Sequence, residues 1–100
     1  MEVQFRTRQL EICYQQHRQA NRKYGAQVAR KYIQRINVIQ QAMDLEQIMR
    51  LPGLWCHALT GNRHGQYAIK LTGFYRLIFT LTGNQLEVIM IEEVSKHYDD

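Results

Sequence analysis

Cysteine is scarce in this chain. Cys13 and Cys56 are the only two among 100 residues, too few for the disulfide framework that staples small secreted domains. Proline is scarcer still. One proline with six glycines excludes a collagen-like repeat and a proline-rich disordered chain. No apolar run approaches the ~20 residues of a membrane-crossing helix, so no membrane partner is expected. The opening residues Met1-Glu2-Val3-Gln4-Phe5-Arg6 lack the basic-then-apolar order of a secretion signal, and a cytoplasmic location is expected. What is present is ordinary for a globular protein, 45% apolar and 22% charged. A chain this long supports one domain, 1–100, with one modest core.

Nucleotide and metal motifs are also missing. The turn Gly61-Asn62-Arg63-His64-Gly65 lacks the Gly-Lys-Ser/Thr ending of a phosphate-binding loop and opens no helix. Cys13, Cys56, His57, His64 and His97 show neither C-x2-C nor H-x3-5-H spacing. No metal and no cofactor is expected, and the cysteines read as core thiols.

Acidic residues are sparse over most of the length. Residues 1–76 hold twelve of the thirteen Lys and Arg against Glu2, Glu11, Asp44 and Glu46, a local balance of +8. Residues 77–100 hold Lys96 against five acids, a balance of −4. Arg6, Arg8, Arg18, Arg22, Lys23, Arg30, Lys31 and Arg35 face Glu11 alone within 5–35. Nine of the thirteen cations are arginine, whose planar fork suits phosphate. Such a surface points to a polyanion, most directly a nucleic acid. The plainer reading is a solvated helix face on a mildly basic protein.

The order of elements follows from periodicity. Glu2–Arg6 alternates, with Val3 and Phe5 on one side, as a short first strand. Leu10, Cys13, Tyr14 and His17 recur at helical spacing over 8–20, and Asn21–Gly25 reads as a break. From Ala26 to Met43 the apolar positions Ala29, Tyr32, Ile33, Ile36 and Met43 mark an amphipathic helix with a basic outer face. Asp44 can cap a further turn that Pro52-Gly53 closes. After Pro52 the pattern becomes strand-like: 54–59, 66–72, 75–81 and 86–92 are rich in β-branched and aromatic residues and separated by short glycine-centred links. Short links favour antiparallel neighbours. The expected fold is α+β, two N-terminal helices packed on a small antiparallel sheet in the order β-α-α-β-β-β-β. Strand 75–81 is apolar on both parities and is expected at the centre. Part of the face away from the helices is expected to form a cleft.

One constellation in the strand half carries chemistry. His57 lies on the first of these strands, Arg63 and His64 on the next turn, and Lys70 on the following strand. Arg76 heads the strand after that, and Lys96-His97-Tyr98 stands near the end. Metal-free RNA cleavage needs a base for the 2′-OH, an acid for the 5′-oxygen and cations for the phosphorane-like charge. Imidazole and guanidinium suit those tasks, and an exposed aromatic such as Tyr75 or Tyr98 can stack an unpaired base. The structural alternative makes His57 a half-buried strand histidine, Arg76 a partner of Glu92 or Glu93, and Tyr75 a core residue.

The stretch Leu51-Pro52-Gly53-Leu54-x-Cys56-His57-Ala58-Leu59-Thr60-Gly61-Asn62-Arg63-His64-Gly65-Gln66-Tyr67-Ala68-Ile69, followed by Phe74-Tyr75-Arg76-Leu77-Ile78-Phe79, resembles the signature of the HigB group, the plasmid-maintenance killer toxins of the RelE/ParE superfamily. The resemblance implies a type II toxin that cuts messenger RNA on the translating ribosome. It also implies neutralisation by a HigA-like antitoxin with a helix-turn-helix domain, and operator DNA bound only through that antitoxin. By position, His57 matches the family's catalytic histidine, Arg76 the arginine on the scissile phosphate and Arg63 the loop arginine. His97 and Tyr98 fall at the terminal Tyr-His pair. Thr60 stands where the family has lysine, a charge Lys70 can replace. Asn62 stands for aspartate, and the terminal pair is inverted. The basic helical residues from Arg6 to Arg35 become the ribosome-docking surface. Two alternatives share the scaffold: a ParE-like inhibitor of DNA gyrase, and an RNA- or ribosome-binding module whose catalytic residues have decayed.

Overall fold

A computed structural model gives the fold and describes residues 1–96. The chain is α+β, and its described residues form four α-helices and one five-stranded sheet. The order is β1 (Glu2–Phe5), α1 (Arg8–Gln15), α2 (His17–Tyr24), α3 (Ala26–Gln41) and α4 (Leu45–Arg50). Then come β2 (His57–Ala58), a 3-10 turn at Gly61–Arg63, β3 (Gln66–Lys70), β4 (Tyr75–Thr82) and β5 (Val88–Lys96). Among the described residues no helix is long and apolar enough to cross a membrane.

The helical half is divided differently from the expectation. Gln16, in extended conformation, ends α1 and starts α2. Its N–H donates to Ile12 O (2.8 Å), while its carbonyl accepts from the N–H groups of Gln19 and Ala20. The kink lets Leu10 and Cys13 of one helix and Ala20 of the next reach the same core, and it leaves His17 exposed. The only interruption in 21–25 is Gly25, at φ +84°, where a side chain would be strained. In α3, Val28, Ala29, Tyr32, Ile36 and Ile39 are buried, most of the stripe that periodicity predicts. The helix ends at Gln41, so Met43, expected on that stripe, falls beyond it and is exposed. Asp44 caps α4 through Gln47 N (2.9 Å).

The sheet runs β1-β5-β4-β3-β2, with β4 at its centre as expected. It is mixed rather than antiparallel, because β1 pairs parallel to β5. The short links that favour antiparallel pairing join only the later strands. β1 reaches β5 through the whole helical half, a connection long enough for a parallel pair. Alternation then sorts the side chains. Ile69, Leu77, Phe79, Ile89 and Ile91 join the helices in the core, and Tyr67 stacks on Phe79 with centroids 5.3 Å apart. The opposite parity puts His57, Ala68 and Ile78 in one cross-strand row and Lys70 opposite Arg76 in the next. This second face lies away from the helices. A bulge in β5, with Glu92 as the extra residue opposite the Ile78–Phe79 step of β4, puts Glu93 across from Ile78 and lets Glu92 accept from Thr80 on this face.

Three of the later strands differ in extent from their sequence pattern, and the stretch 66–72 is strand only as far as Lys70. The stretch 54–59 is paired as strand only at His57–Ala58, because Trp55 takes φ +54° and breaks the ladder just before it. Leu86, expected in the last strand, takes φ +55° in the preceding turn and is exposed, so β5 starts at Val88 and runs on to Lys96.

Candidate functional site

Three strands meet at one cavity on the face away from the helices. Its volume is about 220 Å³, and it is lined by Trp55, His57, Lys70 and Arg76. His57 and Trp55 come from β2 and the residue pair before it, Lys70 from the end of β3 and Arg76 from the start of β4. The hairpin register fixes the arrangement. Lys70 stands directly opposite Arg76, and Lys70 N bonds to Leu54 O at 2.8 Å, which brings Trp55 alongside.

His57 is exposed, and its Nδ1 lies 2.9 Å from the carbonyl oxygen of Trp55. A carbonyl only accepts, so Nδ1 carries the proton and donates. The neutral ring then has its lone pair on Nε2. The left-handed backbone at Trp55 therefore does two things: it points a carbonyl at the imidazole and turns the indole outwards. Arg76 donates through Nη1 to the carbonyls of Thr72 (2.7 Å) and Tyr75 (3.1 Å), which ties its guanidinium to the β3–β4 turn. Lys70 Nζ sits 5.6 Å from the Trp55 ring centroid, a cation–π distance. Two cations directly opposed on adjacent strands repel each other. A cavity with a lysine, an arginine and an imidazole lone pair suits an anion that also offers a proton to be removed.

The remaining residues singled out in the sequence are dispersed. Arg63 lies outside the cavity lining. Its Nη1 donates to Gln66 Oε1 (2.9 Å) and lies 3.8 Å from Glu93, a half-exposed pair of small energetic weight. His64 is exposed on the turn. Tyr75 packs against the core, which leaves Trp55, 70% exposed, as the aromatic at the cavity among the described residues. His97 and Tyr98 lie outside the described residues. Sequence reasoning missed Trp55. It is the only tryptophan and falls two residues before His57, but nothing in strand periodicity marks its backbone as left-handed.

The cations of 5–35 serve different ends. Arg6 makes paired hydrogen bonds of 2.9 Å to the carboxylate of Glu92, which also accepts from Thr80 Oγ1 at 2.6 Å. The hydrogen bonds from Arg6 hold the Glu92 carboxyl below the usual carboxylate range. Arg35 is half-buried and donates through Nε to Lys70 O (3.2 Å), linking α3 to the end of β3. Burial lowers its pKa. Arg8 pairs with Glu11, and Lys23 donates to Gln9. Arg8, Arg22 and Lys23 line a groove of about 500 Å³ between α1 and α2. Arg18 and Arg30 are exposed, and Lys31 is half-buried. Apart from Arg6, which follows β1 and meets Glu92 on the face away from the helices, these groups lie on the helical layer, across the sheet from the cavity.

Cys56, between Trp55 and His57, is buried, and burial pushes its thiol up to about 12. A neutral thiol is a poor nucleophile. Among the described residues no three His, Cys, Asp or Glu side chains gather as a metal-binding group.

No protein-family model matches the chain, and no curated protein matches it significantly. Solved structures do. The YoeB/ParE toxin from Agrobacterium tumefaciens superposes with a TM-score of 0.62 at 16% identity, over 98% of this chain and 100% of that one. The YoeB-YefM complex from Staphylococcus aureus gives 0.59 at 19% identity, over 98% of each chain. YafQ from E. coli gives 0.57 at 15% identity, over 95% of this chain and 91% of that one. Across nearly its whole length, the chain has the fold shared by these YoeB/ParE and YafQ toxins.

Proposed function

We propose that the chain is the toxin of a type II toxin–antitoxin pair, and that it acts as an endoribonuclease on messenger RNA at the translating ribosome. The observation that carries this reading is the cavity where His57, Lys70 and Arg76 converge from three strands. The fold likeness to toxins and the HigB-like stretch over 51–79 support it. Nε2 of His57 takes the proton of the 2′-OH as that oxygen attacks phosphorus. Lys70 and Arg76 neutralise the charge that gathers on the non-bridging oxygens. The P–O5′ bond breaks as the 5′-oxygen takes up a proton, a role the resemblance gives to His97 or Tyr98. The products are a 2′,3′-cyclic phosphate and a 5′-hydroxyl, with no metal or cofactor in the step. Arg63, beyond the cavity, meets a neighbouring phosphate of the same strand.

The cations of α1 to α3 then form the ribosome-docking side. Its affinity falls as salt rises. Arg6 and Arg35, already engaged within the fold, contribute least to it. The partner is an antitoxin, in line with the YoeB-YefM complexes among the structural neighbours. The HigB-like stretch favours a HigA-like helix-turn-helix type, through which operator DNA is bound in the cytoplasm.

Induced expression in cells, with primer-extension mapping of transcripts, tests the reading. Wild type should stop growth and leave discrete cuts. His57→Ala and Arg76→Ala should each lower cutting by about 10²-fold or more. If either variant cuts and kills like wild type, the assignment is wrong. A gyrase-inhibiting reading is favoured only by the ParE in the name of one neighbour. Loss of supercoiling activity with intact transcripts would select it.

A further inference from the structure

Trp55 is the only tryptophan in the chain, and 70% of it is exposed. Its backbone is left-handed at φ +54°, a region that bulky L residues avoid. That conformation turns the indole out of the line of β2, on the face away from the helices, to form one wall of the cavity with His57, Lys70 and Arg76. Lys70 Nζ lies over the ring at 5.6 Å from its centroid, and the high exposure leaves much of the ring surface to solvent. A flat π surface thus stands beside two cations and an imidazole. A ligand that fits both parts carries a planar ring one sugar away from a phosphate.

We infer that Trp55 is the stacking platform for an unpaired nucleobase next to the phosphate bound by Lys70 and Arg76. The inference deepens the ribonuclease reading and rests on it for the identity of the strand, not for the stacking itself. Trp55 is a substrate-binding contact. Stacking accepts every base, because each has a π face, so its contribution is to hold a single strand rather than to choose a sequence.

The sole tryptophan supplies its own signal. Full-length protein is titrated with a 2′-O-methyl RNA tetranucleotide, which cannot be cut because its 2′-oxygens are blocked. Ribose 5-phosphate serves as the base-free control. The expected result is saturable quenching of Trp55 fluorescence by the tetranucleotide and none by ribose 5-phosphate at matched concentration. Anisotropy of a labelled tetranucleotide then reads the variants. Trp55→Phe keeps affinity within about threefold, and Trp55→Ala loses about tenfold or more. Trp55→Asn removes the ring but tolerates the left-handed backbone, so its loss should match Trp55→Ala while its melting temperature holds. Binding by Trp55→Asn within twofold of wild type overturns the inference. So does equal quenching by ribose 5-phosphate, or quenching only by an acidic peptide. Stacking without any cleavage in cells would sink the nuclease reading and leave this one standing. Cleavage that needs His57 and Arg76 but is indifferent to Trp55→Asn would do the reverse.

Discussion

Tyr32→Phe isolates one buried bond that joins the helical layers. Tyr32 is fully buried in α3, and its hydroxyl donates to Leu10 O in α1 at 2.8 Å. Its ring lies 5.5 Å from that of Tyr24 in α2, so one residue touches all three N-terminal helices. Burial, with Tyr24 and Cys13 nearby, raises the phenol pKa well above its usual value, which marks how dry the site is. Removing the hydroxyl keeps the ring and its packing. It deletes one hydrogen bond and leaves a buried carbonyl with one partner fewer, a net cost of about 1 kcal/mol. A domain of this size converts that into a melting shift of about 4–8 °C. Tyr32→Ala, which also empties the ring's volume, should cost about 3–5 kcal/mol, a large part of the stability usual for a small domain. Circular-dichroism melts and urea midpoints read both variants. The cavity lies across the sheet, so under the proposed function the Tyr32→Phe protein should cut RNA like wild type below its melting range. A Tyr32→Phe protein that melts at or above the wild-type temperature would refute the role given to the hydroxyl.

Two further predictions follow from pKa directions. The folded state holds Glu92 below the usual carboxylate range through Arg6 and Thr80, so the unfolded chain takes up its proton first on acidification. This contribution to stability is complete above the ordinary glutamate range and is lost as pH falls through the folded value. Urea midpoints should therefore drop on that acid limb, and Glu92→Gln should flatten it; an unchanged limb in the variant would contradict the assignment. Cys56, pushed up to about 12 by burial, should resist thiol-modifying reagents at neutral pH until urea unfolds the protein. Full modification within mixing time in native buffer would show the thiol to be accessible.

The fold was legible where one periodicity dominates. The stripe from Val28 to Ile39 admits only a helix, and the two-sided apolar pattern of Tyr75–Thr82 admits only a central strand. Junctions set by tertiary fit were not legible. Gln16 is an unremarkable residue for a helix interior, yet the chain breaks there, because two short helices bring Leu10, Cys13 and Ala20 to one core and a continuous rod would not. The parallel pairing of β1 with β5 was hidden for a related reason: a four-residue strand carries no mark of its partner's direction.

The site follows the same division. Residue type and order indicated an imidazole and cations on successive strands, but a one-residue slip in either hairpin would have moved Lys70 to the helical face. Register turns the list into a site: His57 opposite Ala68, and Lys70 opposite Arg76. Arg63 shows the limit of proximity in sequence. It lies six residues from His57, yet its guanidinium turns to Gln66 and Glu93, because the bulge at Glu92 presents two carboxylates side by side on that face. Trp55 is the converse case. An aromatic flanked by Leu54 and Cys56 reads as one more strand residue, and only the left-handed turn separates it from them. The same turn gives His57 the carbonyl that fixes its tautomer. One backbone conformation therefore prepares both the proposed base and the proposed stacking surface, and a change that straightened it would disturb the two together.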